Sequence, residues 1–435
     1  MQFPLSKCYR FGFKKRLALL LLVSYSPFSF AEPTQPILQS SLSAAQITLK
    51  DALSLALKAN PEIAVAMRER EAIEGLKTQA ATRPNPSLST SIQDTRSAYR
   101  QTFLQLNQEI ELGNKRQARM DAADMFSQKA EAELDSKKAE IHANVIAAFY
   151  AVLIAQERLS LAQSSRDIAE SARDAASKRV KAGKSSPVEE TKSNIAASSA
   201  KIEWNQAQAQ LSNSRARLAS LWGSHLPILV NVQGDVTAVP EILKSADVFQ
   251  SLENAPTIKL AKIEIDSRSA LTKIERSKAT PNITISAGVM NNQELGGLNQ
   301  ALLGLSIPIP VFDRNQGHVQ EAVSREYKAQ DELAALKNQL EVNLSSQLQR
   351  LGAAKQAAES IRTDILPSAQ SAFDAANKGF SAGKFNFLEV LDAQRTLVQT
   401  KSQYISALSE AHQSVAEIER ILGDVMHHQS DKLQE

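Results

Sequence analysis

Residues 114–182 read NKRQARMDAADMFSQKAEAELDSKKAEIHANVIAAFYAVLIAQERLSLAQSSRDIAESARDAASKRVKA. This stretch of about 69 residues contains no Gly and no Pro, whereas ordinary helices run about 8–20 residues. At about 1.5 Å per residue it predicts a helical rod on the order of 100 Å long. The rod runs into Ala-Gly-Lys at 182–184, and the same tripeptide recurs at 382–384, 200 positions later (383 − 183). The recurrence indicates a duplicated chain built around two long helical hairpins.

The rod carries two apolar stripes at helical spacing. One contains Ile141, Val145, Phe149 and Val152, and the other contains Ile146, Tyr150 and Leu153. A helix with two seams packs against a neighbour on each side, as in a ring or barrel of helices. In the second rod, Pro367 is expected to bend or break the helix locally.

A pair of strands precedes each hairpin. Apolar residues alternate with Ser, Gln, Asn and Thr at a period of two in segments 86–93, 101–111, 282–290 and 300–310. Strands of about ten residues with one apolar and one polar face fit a tilted crossing of a bilayer, with lipid on one side and water on the other. A soluble, half-buried hairpin gives the same pattern, so both interpretations remain open here.

The repeated plan predicts the following organisation: a signal peptide at 1–31, a mobile lead-in at 32–47, a first repeat at 48–223 with its long hairpin at 113–222, a connection at 224–246, a second repeat at 247–423 with its long hairpin at 317–422, and a disordered tail at 424–435.

The first 31 residues have the pattern of a secretory signal. Five basic and no acidic residues accompany an apolar run at 17–23, and Ser29-Phe30-Ala31 offers a small-x-small cleavage site. An uncleaved membrane anchor is the alternative, although the apolar run is short for a span. Without the segment the formal charge of +3 becomes −2 (3 − 5), so the charge balance gives no argument for nucleic-acid binding.

The rest of the sequence lacks the residues for several classes of site. The one cysteine is Cys8, inside the signal, which excludes disulfides, cysteine ligands, a cysteine nucleophile and lipidation after cleavage. None of the six histidines has a partner at metal-ligand spacing, and no catalytic or phosphate-binding motif appears. We therefore expect no enzyme activity, no cofactor and no resident metal site. No later stretch approaches 18 consecutive apolar residues, so a transmembrane helix is not expected, and only a β-barrel would hold the exported chain in an outer membrane.

The strand count implies an assembly if the strands lie in a membrane. Four strands cannot close a barrel, and open edges in lipid leave backbone groups unsatisfied. Two copies would pool eight strands, whose interior the side chains fill, whereas three copies would pool twelve and leave room for an aqueous lumen. Three-fold cyclic symmetry is the simplest closure.

Two local motifs carry a resemblance to a known family: IPIPVFDRNQG at 307–317 and EIELGNKR at 109–116. With the duplicated order of helix, strand pair and long hairpin over 48–423, the chain resembles the TolC-like outer-membrane efflux channels. It is most similar to the cobalt–zinc–cadmium resistance subgroup, although Asn114 stands where Gly is expected. The resemblance implies a mainly α fold with a small β part. It implies a trimer whose twelve-stranded β-barrel in the outer membrane continues into a twelve-helix α-barrel in the periplasm. The implied partners are outer-membrane lipid, a periplasmic adaptor (a membrane fusion protein) and an inner-membrane resistance–nodulation–division pump.

The resemblance assigns adaptor contacts to the two hairpin tips. The matching residues are Ala182, Gly183, Lys184, Ser185, Ser186, Ala382, Gly383, Lys384, Phe385 and Asn386. Plain turn chemistry explains the same residue types, because Gly supplies a left-handed turn and Ser or Asn caps the next helix. The two interpretations are compatible. Phe385 stands where the family often has a basic residue, so the electrostatic lock of the entrance is expected to differ.

Three acids match positions that line the closed periplasmic entrance in the family. Glu389 and Asp392 match an acidic pair, and Glu189 matches a further gate acid. At i and i+3, the first two share a helix face, and three copies would form acidic rings that attract cations. Their place in the first turns of helices gives an alternative explanation, because acids favour helix N-termini.

The leading functional hypothesis is an outer-membrane exit duct of a tripartite heavy-metal cation efflux system. One alternative keeps the channel fold and changes the cargo to drugs, organic compounds or proteins. A second alternative is a periplasmic adaptor or coiled-coil scaffold without a pore. Two hairpins, each preceded by a strand pair, argue against the adaptor.

Overall fold

The computed structural model describes residues 46–224, 231–240, 245–382 and 384–423. The predicted signal at 1–31, the lead-in up to residue 45, the tail at 424–435 and Gly383 lie outside the described residues. In chain order the elements are β1 Gln46–Ile47, α1 Leu49–Ala59, α2 Pro61–Ala80, β2 Ser87–Gln93, β3 Gln101–Ile110, α3 Lys115–Lys181, α4 Pro187–Ser220, β4 Asn231–Val232, α5 Ser245–Leu252, α6 Pro256–Lys278, β5 Ile283–Asn292, β6 Leu298–Ser306, α7 Gln316–Ser360, a π-turn Ile361–Ile365, α8 Leu366–Ser381 and α9 Phe387–Leu422.

The end of the predicted lead-in is a strand. Gln46–Ile47 pairs in parallel with Asn231–Val232, and Ile47 is buried in the main hydrophobic core. Thr48 then caps α1 with a complete capping box, in which its hydroxyl and the Asp51 carboxylate each accept from the other's backbone N–H. The segment from residue 46 is therefore held by the connection between the two repeats.

Asn60 separates α1 from α2 and fixes where α2 begins. Its Oδ1 accepts from Glu62 N at 2.8 Å and Ile63 N at 3.2 Å, while Pro61 occupies the first helical position, where a missing N–H costs nothing. The Asn60 Nδ2 donates to Leu221 O at 2.8 Å, just after α4. One amide therefore joins the start of α2 to the end of the first hairpin.

The strands of the two repeats form one antiparallel sheet in the order β2-β3-β5-β6. The pairing Ile110↔Ile283 through Gln101↔Asn292 joins the repeats at the centre of the sheet. Strands β2 and β6 are the two edges within the described residues, and they run in opposite directions because each step across the sheet reverses the chain.

The register places most apolar residues of the four strands on one face. One cross-strand row contains Leu88, Leu106, Ala287 and Leu303, and another contains Thr90, Leu104, Val289 and Ala301. The leucines of this face are exposed, to 88% in the case of Leu303. The opposite face is mainly polar, and Asn107 there bonds with both Ser89 and Ser286. The sheet thus presents its apolar face outward, away from any core of the chain itself.

Helix α3 packs on both of its sides, as the two stripes predicted. Both predicted stripes contribute buried side chains, including Val145, Ile146 and Phe149. The neighbours are α2 and α4 from its own repeat and α6 and α9 from the other. By length and composition α3 is also long and apolar enough to cross a membrane, and it alone passes that test among the described residues. Its apolar residues belong to the main core, which is the position of a packed helix.

The second rod is interrupted where Pro367 predicted a break. A π-turn at Ile361–Ile365 precedes α8, and the N–H of Leu366 reaches five residues back to Ile361 O. Because Pro367 has no N–H and its ring crowds the carbonyl four residues earlier, one wider turn absorbs the defect without ending the rod.

Candidate functional site

The first hairpin tip is a tight left-handed turn between α3 and α4. Gly183 has φ +67°, and Lys184 N donates to Arg179 O at 2.8 Å, which closes the end of α3. Ser186 Oγ accepts from Val188 N at 3.3 Å, and Pro187 opens α4. The predicted contact residues of this tip are exposed except Ser185, which is half-buried.

The second tip has the same kind of closing hydrogen bond and adds an aromatic contact. Lys384 N donates to Gly379 O at 2.8 Å, and Asn386 Oδ1 caps α9 by accepting from Glu389 N at 3.0 Å. The Phe385 ring lies directly against Gly379, where any Cβ would overlap it. Phe385 thus packs on the turn through an apolar contact, while 45% of it stays exposed.

A cation–π contact joins the two tips. The Arg179 guanidinium lies 4.7 Å from the centre of the Phe380 ring, so the end of α3 touches the end of α8. Sequence reasoning missed this pair. The available signal was its position, because Arg179 and Phe380 precede Gly183 and Gly383 by four and three residues.

The predicted gate acids lie beside the tips. Glu389 and Asp392 are exposed in the first turns of α9, and Glu189 is half-buried in the first turn of α4. In α1, the carboxylate of Asp51 takes part in a capping box and bonds to the backbone. By contrast, the carboxylates of the three gate acids have no hydrogen-bond or ion-pair partner among the described residues. Capping therefore occupies the backbone at Glu389 and leaves its carboxylate available.

A groove of about 1220 Å³ separates the two hairpins above the tips. Asp392 lies on its wall, and sequence reasoning missed the other charged groups there: Glu203 from α4 and Arg395 and Glu410 from α9. The groove places acids from both hairpins along one open surface, which favours cations over anions near it.

The histidines do not form a metal centre in the described residues. No group of three or more His, Cys, Asp or Glu side chains there has the arrangement to hold an ion. His412 is buried, stacks on Tyr150 with ring centres 3.7 Å apart, and bonds through Nε2 to Val236 O at 2.7 Å. Burial lowers the pKa of His412, although the Val236 carbonyl and the charge of Asp235 oppose that shift. This contact joins α3 to α9 and has a structural role.

Both repeats match a family described as Outer membrane efflux protein, over residues 52–224 and 248–424. The chain belongs to this family. This outer membrane efflux protein is 42% identical over 380 residues to the cobalt-zinc-cadmium resistance protein CzcC of Cupriavidus metallidurans. The match covers 87% of this chain and 91% of the relative. The nickel and cobalt resistance protein CnrC of the same organism is 24% identical over 343 residues, 75% of each chain.

The fold of this efflux protein is similar to that of solved channels. The crystal structure of CusC, described as revealing transmembrane channel formation, superposes with a TM-score of 0.74 at 18% identity and covers 86% of this chain and 92% of that one. The predicted TolC-like family is confirmed, and so is the mainly helical fold with few strands.

Proposed function

We propose that this outer membrane efflux protein is the exit duct of a tripartite heavy-metal cation efflux system. It receives cargo from an inner-membrane resistance–nodulation–division pump and a periplasmic adaptor and releases it outside the cell. The observation that supports a duct is the sheet, which has an exposed apolar face, a mainly polar opposite face and two edges that are unpaired within the described residues. A predicted cleavable signal at 1–31 accounts for export.

A homotrimer would provide a pairing partner for each edge strand of the sheet. Edge strands β2 and β6 run in opposite directions, so β6 of one copy can pair with β2 of the next as an ordinary antiparallel step. Three copies of four strands make a closed twelve-stranded barrel, and closure removes unpaired backbone groups from lipid. The exposed leucines then face lipid, and the side chains of the Asn107 row face a watery lumen.

Metal cations are the proposed cargo. The relatives CzcC and CnrC are named for resistance to cobalt, zinc, cadmium and nickel. Drugs, organic compounds or proteins remain the alternative cargo, because a duct touches its cargo only in passing. Exposed acids beside the tips support a cation cargo, since three copies of Glu389 and Asp392 would surround the entrance with negative charge. Glu189 adds a third acid from the other hairpin.

The tips are the proposed adaptor contact. Their exposed polar and aromatic residues stand on turns whose backbones are fixed by the bonds Lys184 N to Arg179 O and Lys384 N to Gly379 O. A rigid, exposed turn can dock a partner with little loss of conformational entropy.

Planar-bilayer conductance tests the duct and its gate together. We expect purified trimer to conduct and to prefer cations in a salt gradient, and the double variant Glu389→Gln/Asp392→Asn to lose much of that preference. Glu341→Gln, an exposed acid on α7 far from the tip, is the control and should leave the reversal potential unchanged. Unaltered selectivity in the double variant would contradict the assignment of the gate acids. Absence of conductance in the parent would contradict the proposal that the protein is a duct.

Gene deletion tests the cargo. We expect the deletion strain to lose tolerance to cobalt, zinc and cadmium, with the parent gene restoring it. Unchanged metal tolerance with new antibiotic sensitivity would favour the alternative cargo.

A further inference from the structure

The connection from β6 to α7, residues 307–315, projects apolar side chains from a fixed backbone. Ile309, Val311 and Phe312 are 82%, 61% and 90% exposed. The backbone is held in place, because Gln316 Nε2 donates to Phe312 O at 3.2 Å and Asn315 Nδ2 donates to Glu275 O at 2.8 Å. Contiguous apolar side chains on an ordered segment mark a contact surface. We call this segment the β6–α7 corner.

The opposite edge of the sheet carries a pocket of about 660 Å³ where α2 turns into β2. Leu76, Pro84 and Phe126 give it apolar walls, and the ion pair of Glu111 with Arg119 closes one side. Arg119 also donates to Thr82 O at 3.2 Å, which fixes the turn between α2 and β2. A volume in this range easily holds an aromatic side chain. We call this site the α2–β2 pocket.

The seam between the two repeats shows how such corners meet. Within one chain, the turn from β3 to α3 packs on the turn from α6 to β5, where Gly113 touches Thr280 and Lys115 Nζ bonds to Asn282 Oδ1. The β6–α7 corner has the place in the second repeat that the β3–α3 turn has in the first. The α2–β2 turn likewise corresponds to the α6–β5 turn. Closing a ring of copies repeats this seam between β6 of one copy and β2 of the next.

We infer that Phe312 of one copy inserts into the α2–β2 pocket of the neighbouring copy, with Val311 packing beside it. The inference rests on the proposed trimer and assigns one interchain contact within it. The β6–α7 corner has nine residues (307–315), against four (111–114) in the β3–α3 turn. The added length lets the corner of one copy reach the α2–β2 pocket of the next copy. The occupant of the pocket is therefore a second copy of this chain.

Cysteine cross-linking tests the contact directly. Cys8 is the one cysteine in the sequence, so a Cys8→Ser background is free of thiols. In that background we expect Phe312→Cys combined with Leu76→Cys to give covalent dimers and trimers with a short thiol cross-linker. The matched control combines Phe312→Cys with Val65→Cys, which is exposed on α2 but lies 11 residues (76 − 65) before Leu76, and should give none.

Trimer stability and lipid exposure give two further readouts. We expect Phe312→Ala to lower the temperature at which the trimer dissociates in detergent, and Phe312→Leu to restore most of the loss. Leu106→Ala, on the outward face of the inner strand β3, is the control that should leave dissociation unchanged, because both neighbours of Leu106 in the sheet belong to its own chain. A trimer that forms normally but shows no 312–76 cross-link overturns the inference and leaves the duct intact. Strong quenching of Phe312→Trp by brominated lipids, beyond that of the parent, also overturns it by making lipid the occupant. A parent that does not form a trimer overturns the proposed function together with the inference.

Discussion

The two long rods occupy equivalent places in the duplicated chain but differ in construction. The first, α3, is one helix of 67 residues whose buried side chains contact elements of both repeats. The second is divided into α7, a π-turn and α8, and exposes large apolar residues such as Tyr327 and Val342. The two repeats therefore share the positions of the rods but not their continuity. The continuous rod anchors the core, and the interrupted rod leads to the tip that carries Glu389 and Asp392.

Moving the interruption into the first rod gives the largest expected effect. Asp167 precedes Gly183 by 16 residues, as Pro367 precedes Gly383, and its exposed side chain forms an ion pair with the adjacent Arg166. We expect Asp167→Pro to destabilise the folded chain by about 3 kcal/mol or more, because the ring removes a helix hydrogen bond and no π-turn is present to absorb it. Thermal loss of helical circular dichroism measures the change.

Two controls separate the backbone from the side chain. Asp167→Ala should cost little, since it removes only an exposed ion pair. Pro367→Ala in the second rod should change stability by no more than about 1 kcal/mol, because the π-turn there already accommodates the defect. Equal effects of Asp167→Pro and Asp167→Ala would show that continuity of the first rod is not a constraint.

The contact between Tyr150 of the first rod and His412 of the last helix predicts that stability depends on pH. The pKa of His412 is lowered by burial against Tyr150, so the folded chain resists a proton that the unfolded chain accepts. As pH falls below about 6.5, the ordinary pKa of histidine, stability should decline and go on declining until the lowered pKa of the folded state is passed.

Melting temperatures between pH 7.5 and pH 5 measure this decline. His412→Gln should flatten the slope, whereas His318→Gln, at an exposed position on α7, should keep the parent slope. Identical slopes in the parent and His412→Gln would assign the acid sensitivity to other groups.

The sequence predicted the features that depend on local pattern. The long rod, the strand pairs and the break at Pro367 follow from residue periodicity and from the backbone chemistry of Gly and Pro, which act within a few positions. The pairing of Gln46–Ile47 with Asn231–Val232, the stacking of His412 on Tyr150 and the tip contact were missed. Each joins residues far apart in the chain, and helical periodicity does not specify how two distant helices are rotated against each other.

The tip contact is where the stiff rod meets the interrupted one, and it gives the smallest expected effect. Arg179 lies in the last turn of the continuous rod and Phe380 in the last turn of the interrupted one, and their contact joins the two tips. A double-mutant cycle with Arg179→Ala and Phe380→Ala should give a coupling free energy of about 0.5–1 kcal/mol, the lower part of the range for cation–π pairs. Lys178→Ala, which removes a neighbouring exposed charge, should show no coupling to Phe380→Ala. Because a π-turn interrupts the second rod, we expect loss of this contact to let the second tip move and to raise the conductance of reconstituted trimer in both single variants. Conductance that stays at the parent value while the coupling is measured would mean that the contact stabilises the tips without restraining the entrance.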